Sequence, residues 1–118
     1  MNVEVKAEWL AALRSGEYEQ GQDALRHNGK FCCLGVLCDL AAKHGVGRWE
    51  LSAHFHDGDC VADDVLTDKV REWAGLDQVN PILEILDSQE RLIVEPIAEL
   101  NDRGIPFTVL ADEIEKQL

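Results

Sequence analysis

The stretch Phe31-Cys-Cys-Leu-Gly-Val-Leu-Cys-Asp-Leu-Ala-Ala-Lys-His-Gly45 decides the architecture. Almost every position from Phe31 to Leu37 is apolar, and Leu34, Leu37, Cys38 and Ala41 share one face at helical spacing. Gly45 stands where a left-handed residue would close the helix. A helix that is apolar nearly all round belongs inside a core, so this segment predicts the central buried element.

Upstream, Val5, Trp9, Ala12 and Leu13 fall on one face of VEVKAEWLAALRSG, which predicts an amphipathic helix over 3–15 that ends at Gly16. The glycine-bearing stretch from Gly16 to Phe31 predicts an irregular link or a short hairpin around Asn28-Gly29. Downstream, Arg48 to Leu51 fits a short strand, and HFHDGDC (54–60) reads as a polar turn or loop. Thr67 is a fitting N-cap for a short helix through Val70, Trp73 and Ala74 to Gly75. The segment from Ile82 to Gly104 is compatible with one broken helix or with a strand pair followed by a helix, Pro96 fitting its first turn. A last helix from about Pro106 would bury Phe107, Leu110, Ala111 and Ile114 and expose Asp112, Glu113 and Glu115. The expected fold is mainly α, a single domain over 1–118 with four to five helices and a short irregular or two-stranded β segment around residues 46–60.

The chain has 118 residues, 46% of them hydrophobic and 29% charged, enough apolar material for one core and too little length for two. Eleven Lys and Arg against 23 Asp and Glu give a net charge of −12, which disfavours direct binding to phosphate backbones. Residues 1–48 hold six acids and six bases, so the whole imbalance falls in 49–118. No apolar stretch suits a signal peptide or a membrane span. The expected setting is the host cytoplasm, with the four cysteines reduced and Cys32, Cys33 and Cys38 read as small buried hydrophobes. Nothing calls for a cofactor, and a homodimer is compatible with the composition.

Trp9-Leu10, Ala12 through Tyr18, Gln20-Gly21 and Cys32 through Leu40, together with Leu100 through Gly104, Phe107 and Ala111 through Glu115, resemble a pattern of small bacteriophage and prophage proteins. The resemblance spans most of the chain outside roughly 46–65 and implies a mobile-element origin without implying a reaction. This chain departs from the pattern in its HFHDGDC segment and in Ile105-Pro106.

Three sets of residues could carry chemistry. Cys33-Leu34-Gly35-Val36-Leu37 is similar to the C-x-G-[LV]-[LV] setting of NlpC/P60-like cysteine peptidases, in which a helix N-terminus favours the thiolate. Cys33 or Cys32 would then need His54 or His56 as base, and no third group is evident. His54 and His56 alternate, so on an extended segment they point the same way; with Cys60 they offer zinc donors within seven residues. A second ligand cluster is not evident. The third set is acidic: Asp63 and Asp64 ahead of the Trp73 helix, Glu95 and Glu99 four apart, and Asp112, Glu113 and Glu115 on the last helix. Carboxylate arrays serve solubility, and they can also imitate nucleic-acid phosphates before a basic groove. The expectation is a non-enzymatic phage-type protein that inhibits a basic host protein, such as a CRISPR effector or another nucleic-acid-binding defence protein. A cysteine hydrolase and a small zinc module are the alternatives.

Overall fold

The computed structural model describes residues 1–51 and 53–118. Its centre is α2 (Cys33–Lys43), in which Cys33 to Cys38, Leu40 and Ala41 are all buried, as the apolar run demands. Helix α1 (Val3–Arg14) begins where the Asn2 side chain accepts the Val5 N–H at 3.0 Å. It lies against α2 and α5 (Phe107–Gln117). Trp9, fully buried, keeps its indole N–H satisfied on the Cys33 carbonyl at 3.0 Å, which removes the cost of burying that donor.

The link between α1 and α2 resolves into a hairpin, β1 (Arg26–His27) with β2 (Lys30–Phe31). Asn28 and Gly29 both take positive φ, +52° and +78°, as a two-residue turn with matching strand twist requires. The ambiguous C-terminal segment is a strand pair followed by a helix: β6 (Ile82–Leu86), β7 (Leu92–Pro96) and α4 (Ile97–Asp102). Strand alternation turns Leu83 and Ile85 inward. Pro96 sits at the N-cap of α4, one position before the first turn in which the sequence suggests it. Helix α3 (Asp68–Ala74) starts on Thr67, whose Oγ1 accepts the Val70 N–H at 3.3 Å, and ends at Gly75 with φ +71°.

The region 46–60 differs most from expectation. It belongs to a three-stranded antiparallel sheet of β3 (Arg48–Glu50), β4 (His54–His56) and β5 (Val61–Ala62). The His-Phe-His segment, expected as part of a polar turn or loop, is the central strand, because Phe55 is fully buried between two half-buried histidines on the opposite face. Phe55 continues an edge-to-face aromatic row through Trp49 and Phe31 to Tyr18. The result is a mainly helical domain of five helices with short antiparallel β segments among the described residues. No described helix is long and apolar enough to cross a membrane.

Candidate functional site

The N-terminus of α2 is built as a hydrogen-bonded hub. Asn101, fully buried, accepts the Cys33 N–H at 3.2 Å and a Gln20 amide N–H at 3.0 Å, and donates to the Gly21 carbonyl at 2.8 Å. Gln20 also donates to the Ile105 carbonyl at 2.8 Å and accepts the Phe107 N–H at 3.1 Å, so one amide pair ties α2, α4 and the start of α5 together. Cys32 caps α2, its Sγ accepting the Gly35 N–H at 3.3 Å. Gly35 has no alternative: a Cβ there would lie 1.8 Å from the Leu25 carbonyl oxygen. Nearby, Asp39 accepts the Tyr18 hydroxyl at 2.5 Å and the Trp49 indole N–H at 3.0 Å.

The cysteines sit in the opposite environment from the one a nucleophile needs. Cys33 is fully buried and its Sγ faces the Ile97 carbonyl at 3.9 Å. Burial pushes the Cys32 thiol up to about 11 and those of Cys33 and Cys38 well above their ordinary value. Backbone N–H groups at the start of the helix do lower the Cys32 and Cys33 thiols, but the apolar surroundings outweigh them. His54 Nδ1 pairs with the Asp63 carboxylate, and His56 Nδ1 accepts the Gly58 N–H at 3.0 Å. No hydrogen bond joins a histidine to a cysteine among the described residues.

The two histidines do point to one side of β4, as alternation predicts, and Cys60 is exposed in the turn beyond. That turn is held by Asp57, whose Oδ1 accepts the N–H groups of Asp59 and Cys60 at 2.8 and 2.7 Å. Among the described residues no three His, Cys, Asp or Glu side chains converge as a metal-binding group.

The seven acidic candidates separate into two groups. Asp112 and Glu115 meet Arg14 at 2.8 and 3.2 Å, Glu113 meets Lys116 at 3.5 Å, and Glu95 is held by Arg103 through two hydrogen bonds. Glu95 and Glu99 do not share a helix face: Pro96 ends β7 and starts α4, leaving Glu95 on a strand and Glu99 on the helix. Glu99 instead lines a cavity of about 160 Å³ with Asp64, Asp23 and Asp102, and with Cys32 in its wall. A wider groove of about 620 Å³ carrying Asp63 and Asp68 shares Asp23 and Asp64 with it. Among the described residues, no Lys or Arg lies within ion-pair distance of Asp23, Asp64, Glu99 or Asp102.

Asp23 and Asp102 are site residues that the sequence analysis missed. Asp23 lies in the charge-neutral N-terminal stretch and arrives through the Asp102 carboxylate, which accepts the Asp23 N–H at 2.9 Å. Its positive φ of +66°, a conformation that Asp tolerates better than most residues, is invisible in composition.

Over residues 1–118 the chain matches a family described as a domain of unknown function, DUF8296. It belongs to that family. No curated protein and no solved structure matches it. Within the DUF8296 chain, Trp9, Tyr18, Gln20, Cys32, Cys33, Gly35, Asp39 and Asn101 of the phage-like pattern are occupied with one another, with Trp49 and with backbone in the contacts above, while Asp102 of the same pattern lines the cavity. The acid-lined cavity is the site that folding leaves unexplained.

Proposed function

We propose that this protein is a small, acidic, non-enzymatic protein of bacteriophage type, acting in the host cytoplasm by binding a basic host protein. The target class is a nucleic-acid-binding defence protein such as a CRISPR effector, whose phosphate-binding groove the carboxylates would occupy in place of nucleic acid. One observation carries this reading: Asp23, Asp64, Glu99 and Asp102 gather around one cavity with no Lys or Arg of the chain within ion-pair distance among the described residues. Like charges brought together repel unless something neutralises them, and a cationic partner both does so and is steered in by the field. The carboxylates of α5 and Glu95, already paired within the chain, are secondary. The phage origin rests on the sequence resemblance alone.

The test is capture from a bacterial host lysate on immobilised wild-type protein and on the double variant Asp64→Lys with Glu99→Lys. Wild type should retain a basic nucleic-acid-binding protein, progressively less as salt rises, and the variant should lose it. Equal retention on both, or retention indifferent to salt, would overturn the reading.

A further inference from the structure

The β6–β7 hairpin pairs Ile82 with Pro96, Glu84 with Val94 and Leu86 with Leu92. At its two ends the Ile97 N–H donates to the Pro81 carbonyl at 2.7 Å and the Asp87 N–H to the Arg91 carbonyl at 2.9 Å. The odd-numbered residues therefore exchange the ladder hydrogen bonds, and the N–H and C=O groups of the even-numbered ones point away from the hairpin on its outer edges. On the β6 edge, α5 closes the outward pair at Glu84: Gln117 Oε1 accepts its N–H at 2.8 Å and Gln117 Nε2 donates to its carbonyl at 2.7 Å. The β7 edge has no such cover. Among the described residues no further strand pairs with it, and no side chain bonds the outward groups of Leu92 and Val94.

The same hairpin carries an apolar face turned to solvent, with Ile82 50%, Leu86 62%, Leu92 62% and Val94 53% exposed. An open edge beside such a face invites strand pairing, and folded proteins ordinarily blunt it with a lysine, a proline or a bulge. Along this edge the one proline of the strand, Pro96, lies at its end, and the charged residues Arg91 and Glu95 are each held in an ion pair within the chain.

We propose that β7 pairs antiparallel with β7 of a second copy of this chain, about a two-fold axis at Ile93, to give a four-stranded sheet. The occupant follows from self-complementarity. In this register Leu92 faces Val94 of the second copy and both exchange backbone hydrogen bonds, Ile93 faces itself, and Arg91, held in its own chain by Asp87, faces Glu95, held by Arg103, so no like charges are set opposite one another. Centring on Val94 sets Leu92 against Pro96, which has no N–H to give. Centring on Leu92 sets Val94 against Glu90, whose φ of +59° takes it out of strand geometry. The inference does not rest on the acidic cavity, which lies on other elements.

Sedimentation equilibrium of the full chain at physiological ionic strength, where the self-repulsion of a −12 chain is screened, gives the first readout. Wild type should form a reversible dimer between low micromolar and submillimolar concentration. Val94→Lys should weaken it at least about tenfold, with unchanged far-ultraviolet circular dichroism because Val94 is exposed. Amide hydrogen exchange on the wild-type protein gives the second readout and needs no variant. The Leu92 and Val94 amides should slow as concentration rises, and the Glu84 amide should not change. A wild-type chain that stays monomeric, a Val94→Lys dimer of undiminished affinity, or a dimer that leaves the Leu92 and Val94 amides unprotected would each overturn the proposal.

Discussion

The hub at the start of α2 and the acid-lined cavity share a wall, since Cys32 caps the helix on one side and lines the cavity on the other. They obey opposite rules. In the hub, the Gln20 and Asn101 side-chain amides and the Cys33 N–H answer one another or nearby backbone, as a buried polar group must to offset its desolvation. In the cavity, carboxylates stand together with no Lys or Arg of the described residues within ion-pair distance. The hub residues are thus accounted for by folding, and a motif built from them identifies a fold more than an activity. The cavity acids carry charge that no Lys or Arg of the described residues neutralises, although Asp102 accepts the Asp23 N–H and Glu99 an Asn80 amide N–H, and that charge is where a partner would act.

The sharpest way to break this contrast is Gly35→Ala. With backbone oxygen 1.8 Å from the new Cβ and no flexible side chain to yield, the loss should reach about 4 kcal/mol or more, read as absence of a cooperative urea transition. Asn101→Ala should cost about 2–4 kcal/mol, because it leaves the Gln20 amide and the Cys33 N–H without their acceptor inside the core. A urea midpoint within error of wild type would show that the hub is not what holds α2, α4 and α5 together.

Acid reports on the carboxylates that backbone N–H groups and an arginine hold in place. Burial pushes the Asp57 carboxyl up, but the N–H groups of Cys60 and Asp59 more than reverse this, leaving it below its ordinary value. The Arg91 and Gln89 N–H groups hold Asp87 down, and Arg103 does so for Glu95. A carboxyl depressed in the folded state stabilises above its unfolded pKa, and that contribution disappears as pH falls through the folded value. The urea midpoint should therefore fall below the usual carboxylate range, and less steeply in Asp57→Asn. The smallest effect belongs to the cavity: Asp64→Lys with Glu99→Lys should cost no more than about 1 kcal/mol, the loss of an exposed Asn80–Glu99 hydrogen bond and of a carboxylate in the first turn of α4. A large loss there would make these residues structural and dissolve the contrast.

Helices were the most legible elements because their signals are local. Thr67, Gly75 and the apolar period of Phe107, Leu110, Ala111 and Ile114 each act within a turn or two of the residues they organise. The β region was less legible. His54-Phe55-His56 has the alternation of a strand, but only the pairing of Phe55 with Trp49 and Ala62 decides that it is one. The candidate site was legible in part. Asp64 and Glu99 were named from charge, whereas Asp63 turned out to be paired with His54, and Glu95, Asp112, Glu113 and Glu115 with Arg or Lys of the chain, and Asp23 and Asp102 were not foreseen.

By itself the sequence determined the central position of the Phe31–Gly45 segment, the approximate helices and the sign and size of the charge. These depend on composition and short-range periodicity, which the chain carries wherever it folds. The tertiary structure alone decided that Asn101 answers Gln20 across 81 positions, that the Cys33 thiol is shut in apolar surroundings, and which acids remain without a counter-charge. Burial and pairing are properties of neighbours in space, and the neighbours come from opposite ends of the chain.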